Sequence, residues 1–175
     1  MTQKVCPFPG LRPFTEEEAL FFKGRDMHIR EIIRQLEERK IIVITGSSGD
    51  GKSSLVYAGV IPNARAGFFQ AEYANWLIAD FRPERSPLAN LANAIAHNLG
   101  LAAQEVNTEL ELGFSALVNL YKKSPYYIDT ESQEWKKATP QARKQKKREA
   151  ANLLILADQF EEFFTYPEGT DAFAT

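Results

Sequence analysis

The chain has 175 residues, enough for one domain with a real core. Hydrophobic residues make up 44% and charged residues 25%, a balance that excludes an intrinsically disordered chain. The formal net charge of −2 excludes a bulk electrostatic pull toward nucleic acid or an anionic membrane, and the single cysteine, Cys6, excludes an intrachain disulfide. The first residues lack the apolar core of a signal peptide, and no apolar run approaches the roughly 18 residues of a membrane span, so a cytoplasmic location is expected.

In chain order, Thr15 and Glu18 have capping-box spacing and predict a short helix over "TEEEALFF". Lys23-Gly24-Arg25-Asp26 reads as a tight turn. Asp26 is placed to cap a helix whose Ile29, Ile32, Ile33 and Leu36 share one face. Ile41 to Thr45 is apolar and β-branched, which predicts a buried parallel strand. It runs into Gly46-Ser47-Ser48-Gly49-Asp50-Gly51-Lys52-Ser53, which fits G-x-x-x-x-G-K-[ST] at every fixed position. Ser54 to Ile61 can form a helix, stopped by Pro62.

This loop has the chemistry of a phosphate cradle. Its glycines let successive backbone N–H groups turn toward phosphate oxygens, and a helix beginning near Lys52 adds the positive end of its dipole. The Lys52 ammonium would reach the β- and γ-phosphates, and the Ser53 hydroxyl would ligate Mg²⁺. Ser54 is the weaker candidate for that ligand, because the pattern puts the hydroxyl directly after the lysine.

Beyond the loop, "NWLIADFRP" predicts a strand over about 75–80. Ser86 and Pro87 open a helix that carries Leu88, Leu91, Ile95 and Leu99 on one face and stops at Gly100. "FSALVNLYKK", 114–123, predicts another helix. Trp76, His28 and His97 read as packing or surface residues. Residues 124–149 are poorer in apolar side chains and hold seven Lys/Arg between 136 and 148, with Thr139-Pro140 starting a helix. A solvated surface helix is the ordinary reading of that stretch; a contact for nucleic acid or an acidic partner is the sharper one.

Leu153 to Ala157 is an apolar strand with Asp158 at its C-terminal edge, where ligands of open α/β sheets bind. Asp158 is the candidate Mg²⁺ contact, directly or through water. Glu161 and Glu162 follow at helical spacing, and one of them could polarise an attacking water; the spacing leaves both open, with a slight preference for Glu162. Asp158-Gln159-Phe160-Glu161 is not the D-x-x-G of a GTPase, and N-K-x-D occurs nowhere, so adenine is favoured over guanine.

The alternation of elements predicts an α/β fold: a P-loop NTPase core, ASCE/AAA-like, with a parallel sheet covered by helices. It divides the chain into a helical lead-in over 1–40, containing the Gly-Arg-Asp turn, and a core over 41–175 with a polar, basic insertion at 124–149. Three clear strands fall short of the about five usual in such sheets, so a core truncated after the acidic (Walker B) strand is expected.

Taken together, "CPFPGLRPFTEEEALFFKGRD", "GSSGDGKSSLVYAGVIP", "FRPERSPLANLANAI" and "LLILADQFEEFF" resemble the N-terminal part of the novel STAND NTPases, signal-transduction ATPases with numerous domains. The resemblance spans most of residues 6–165 and is weakest over 101–150. It implies Mg²⁺ and ATP as cofactors, ATP binding that gates assembly of a larger, often oligomeric protein, and slow hydrolysis that resets it. Sensor and effector regions would lie C-terminal, and bacterial defence or stress signalling is a fitting context. It also implies a nucleotide role for Gly24 and Arg25, because the family carries Gly-Arg-Glu near the adenine and ribose; here Asp26 replaces that Glu. Asp158, Glu161 and Glu162 resemble the metal acid and acidic pair of NACHT-type sites. Two other readings stand beside this one: a DNA-associated AAA-like ATPase using residues 136–148, and a nucleotide-binding scaffold that does not hydrolyse.

Overall fold

A computed structural model describes residues 9–164, so Cys6 lies outside the described residues. The chain divides into two compact units, Met1–Glu72 and Tyr73–Thr175. The fold is mixed α/β with a small parallel sheet of two strands among the described residues.

In the first unit, the capping-box residues open a 3₁₀-helix, Glu16–Phe21, rather than an α-helix. The Glu18 carboxylate accepts the Thr15 N–H at 3.0 Å and an Arg12 Nη1–H at 2.7 Å. The Arg12 guanidinium, followed by the Thr15 backbone, holds the Glu18 carboxyl down at about 2. Helix α1, Asp26–Arg39, begins one residue earlier than a capping Asp26 requires. Arg25 occupies the cap, and Asp26 sits in the first turn, where its charge meets the positive helix end without a capping hydrogen bond. Ile32 is buried, Ile29, Ile33 and Leu36 are half-buried, and Arg34 pairs with Glu31 and Glu38 on the solvated face.

Two expectations fail in this unit. Ile41 to Thr45 joins no ladder, and Ile41 and Val43 are 74% and 78% exposed, so the run is not a buried strand among the described residues. β-Branched composition supplies propensity, but a strand also needs a pairing partner. Pro62 does not stop the helix either. Helix α2, Lys52–Leu55, continues through a π-helical turn, Val56–Val60, into α3, Ile61–Arg65. The widened turn, in which Ile61 N–H donates to Val56 O, comes just where proline removes a donor. The Asn63 side-chain amide donates to Gly59 O at 2.7 Å and satisfies a carbonyl of the same turn. Gly59 lies against α1: a Cβ there would come within 2.7 Å of Ile29 Cγ1.

The second unit is built on strands β1, Asn75–Phe81, and β2, Ala151–Ala157, paired in parallel over their whole length from Asn75↔Ala151 to Phe81↔Ala157. A parallel pair needs a crossover, and here it passes through five helices. Helix α4, Pro87–Leu99, packs Ala92, Ile95, Ala96 and Leu99 into the core with Ala79 of β1. Gly100 ends it in the left-handed region at φ 68°, which glycine adopts without strain. Ser86 precedes it without a side-chain capping bond, so Pro87 at the first turn carries the start signal.

Helix α5, Ala103–Glu111, adds Val106 to the same core, and α6, Ala116–Lys123, adds Leu120. Fully burying side chains such as Ile95 and Leu99 is worth about 1.5–3 kcal/mol each. Helices α7, Gln133–Lys137, and α8, Pro140–Glu149, bury none of their side chains and are held by hydroxyl caps from Ser132 and Thr139. Helices α5 and α7 have no counterpart in the sequence expectation.

Candidate functional site

The loop of the first unit is shaped by its own short-range bonds. Gly49 and Gly51 have φ of 87° and 81°, backbone that L-residues rarely adopt, and Gly51 leads directly into α2. Gly46 is hemmed in differently: a Cβ there would meet Asp50 Oδ2 at 2.8 Å. That carboxylate oxygen accepts the Ser47 N–H at 2.6 Å, and Asp50 N–H donates back to Ser47 O at 3.2 Å. Lys52 Nζ donates to the Gly46 and Ser47 carbonyls at 2.9 and 3.1 Å, so the ammonium lies over the loop it follows. A helix that starts here leaves its first N–H groups without intrahelical acceptors, at the positive end of its dipole.

The flanking residues separate into two roles. Arg25 Nη2 donates to Asp50 O at 3.1 Å, which brings the Gly24-Arg25 turn to the loop. Ser54 is buried, and its Oγ accepts the Phe14 N–H at 3.0 Å, so this hydroxyl ties the lead-in segment to the helix. Ser48, by contrast, is exposed at the loop tip.

In the second unit the acidic residues are positioned by the sheet. Phe81 and Ala157 are the last register pair, so Arg82 and Asp158 emerge side by side at the carboxyl edge. Asp158 N–H donates to Phe81 O at 3.0 Å and continues the ladder by one bond. The Asp158 side chain is 12% exposed, and its Oδ2 lies 3.6 Å from Arg82 Nη2. Gln159, at φ 57°, turns the chain into a 3₁₀-helix, Phe160–Phe164. That turn separates the two glutamates. Glu161 is exposed, whereas Glu162 is half-buried and its Oε2 is buried with no hydrogen-bond partner among the described residues.

Among the described residues, no group of three or more His, Cys, Asp or Glu is gathered to hold a metal ion. The candidate metal donors, the Ser53 hydroxyl in the first unit and the Asp158 carboxylate in the second, are each oxygen. Oxygen donors of this kind suit a hard cation such as Mg²⁺, which takes one or two protein ligands and completes its shell with water and phosphate. The buried, unsatisfied Glu162 oxygen is the kind of group that a bound water or cation would satisfy.

Residues 7–175 match the family described as novel STAND NTPase 1. The chain belongs to that family. No curated protein and no solved structure matches it. Membership in the novel STAND NTPases brings nucleotide and metal use in general, together with multidomain assembly. Among the described residues, no helix of this STAND chain is long and apolar enough to cross a membrane.

Two features of the STAND chain go beyond the sequence reading. Arg82 was not among the expected site residues, although it directly follows a strand and stands next to the acid that follows the other. The signal that could have found it is that position, "ADFR" beside "ILAD". The basic residues of 136–148 also divide. Arg143 is turned inward, donating to the Trp135 and Lys136 carbonyls with its guanidinium 5.5 Å from the Trp135 ring centroid, and Lys146 donates to Pro125 O. Lys144, Lys147 and Arg148 remain exposed on α8.

Proposed function

We propose that this chain is the Mg·ATP-binding switch of a larger STAND signalling protein, in which ATP binding favours assembly and slow hydrolysis resets it. The observation that carries the reading is the loop Gly46–Ser53, with its left-handed glycines, its helix start and Lys52 lying over it. The Lys52 ammonium exchanges the Gly46 and Ser47 carbonyls for β- and γ-phosphate oxygens, a stronger charge-assisted contact. Gly46, Ser47, Ser48, Gly49, Asp50 and Gly51 form the loop around the phosphates, and Gly24 and Arg25 support it through Asp50 on the nucleoside side.

Ser53 is the loop's proposed Mg²⁺ ligand and Asp158 the proposed metal acid of the strand edge, while Ser54 is held back for packing. Mg²⁺, when bound, would supply neutralisation of the phosphate charge. Glu162 accepts the proton of the attacking water in preference to Glu161, because its buried, unsatisfied oxygen is placed for a directed contact and Glu161 faces solvent. The absence of N-K-x-D favours adenine. C-terminal sensor and effector regions, a homo-oligomeric active state, a cytoplasmic setting and a role in defence or stress signalling complete the reading.

Calorimetric titration with ATP and GTP, each with and without Mg²⁺, tests it beside Lys52→Ala. The expected result is Mg²⁺-dependent binding selective for ATP, weakened in the variant by about 2–3 kcal/mol, roughly 30- to 150-fold. Equal ATP affinity in both proteins would remove the phosphate assignment.

A further inference from the structure

We propose that the outer face of α8 is a docking surface for double-stranded nucleic acid, held by its phosphodiester backbone without regard to sequence. Every residue of this surface belongs to the second unit, and none has a part in the nucleotide reading.

The charge of the chain is segregated. Residues 136–148 hold seven Lys/Arg and no Asp or Glu, and taking those seven from the net −2 leaves −9 on the rest. The helix sorts its share of this charge onto two sides. Arg143 donates to the Trp135 and Lys136 carbonyls at 3.1 and 2.9 Å, and Lys146 donates to Pro125 O at 2.8 Å, so these two residues, one turn apart, pin α8 in place. Lys144, Lys147 and Arg148 form the outer face; all three are exposed, and none is in an ion pair among the described residues. Lys144 stands one turn from both of the others, and no acid lies three or four residues from any of the three within the helix. Like charges at this spacing weaken a helix, and an anion laid over them removes the repulsion. Helix α1 shows the ordinary alternative: its exposed Arg34 is flanked by Glu31 and Glu38 and pairs with both.

What the face lacks identifies its partner. Helix α8 offers no large apolar side chain, whereas the centre of a protein–protein interface is apolar and depleted in lysine. Cations without an apolar anchor suit a phosphate backbone, which is met by charge and needs no pocket. Charge density points the same way. The ten residues of α8 span about 15 Å, and a duplex carries one negative charge per about 1.7 Å of its axis. An extended peptide made wholly of acidic residues, at about 3.3 Å per residue, reaches half that density. Arg148 adds a planar fork that can take two oxygens of one phosphate.

The test is fluorescence anisotropy of a labelled DNA duplex of random sequence with the full chain, without nucleotide, over a series of salt concentrations. Binding should weaken with salt, log K falling against log salt with a slope of about −2.7 or steeper, as three or more phosphate contacts require. Lys144→Gln, Lys147→Gln and Arg148→Gln combined should weaken binding by about tenfold or more and flatten the slope by about 2.7, with no loss of melting temperature. Lys147→Gln alone should flatten it by about 0.9, a readout that does not depend on how well the triple variant folds. Removing three exposed cations elsewhere, by Arg30→Gln, Arg39→Gln and Lys122→Gln, should leave the slope unchanged. No binding at low salt, or equal losses in the two triple variants, overturns the proposal. A glutamate-rich peptide that binds as tightly as the duplex in the same salt also overturns it, and would assign the face to an acidic protein segment.

Discussion

The glycine loop and the acidic edge are held in place by opposite means. The bonds Ser47–Asp50 and Lys52–Gly46 that shape the loop from inside join residues at most six apart, and Arg25 reaches in from the neighbouring turn. Asp158 owes its position to a ladder between strands 76 residues apart, backed by α4. A locally bonded loop survives damage elsewhere in the chain, whereas an edge built on non-local pairing is only as firm as the core behind it.

The largest expected effect breaks the edge alone. Ile95→Ala empties a fully buried site under β1 and should cost about 2–5 kcal/mol in denaturant unfolding of the second unit. Hydrogen exchange should speed up across 75–81 and 151–158 while 46–55 keeps its protection; equal loss in both segments would contradict the comparison. Asp50→Asn perturbs the loop alone. It replaces a carboxylate acceptor for Ser47 N–H with a neutral one, at a cost of about 1 kcal/mol, seen as faster exchange of the Ser47 amide with the overall melting temperature unchanged.

The smallest effect is pH-dependent and lies in the lead-in. Glu18 titrates at about 2 in the folded chain against an ordinary 4.5, so its contribution is fully present above 4.5 and disappears as the pH falls toward 2. Arg12→Gln should flatten that acid dependence, measured as the pH profile of Thr15 amide protection. An unchanged profile would assign the shift to the Thr15 backbone instead.

The loop and the acid were both legible in the sequence because each depends on residues close together in the chain. The glycines, Lys52 and Ser53 form one contiguous pattern, and Leu153–Ala157 followed by Asp158 reads as a strand with an acid at its edge. What was not legible depends on something else. Ile41–Thr45 and Leu153–Ala157 are similar apolar runs, yet only the second has a ladder partner among the described residues, and composition does not encode pairing. Pro62 reads as a helix stop because sequence rules assume an α-turn, and the π-turn before it escapes that assumption. Arg82 looks like any solvated arginine until the register places it beside Asp158. Glu161 is exposed and Glu162 half-buried after the positive φ at Gln159, a difference that leaves no mark in the spacing of the acids.

The close approach of Gly59 to Ile29 has an evolutionary consequence. A side chain at position 59 would need space that the Cγ1 and Cδ1 atoms of Ile29 already fill, and a β-branched residue on a helix has little rotamer freedom with which to withdraw. The two positions are therefore expected to vary as a pair across the family. Relatives with alanine or serine in place of Gly59 should carry alanine or valine in place of Ile29, and relatives that keep the glycine should be free to keep the isoleucine.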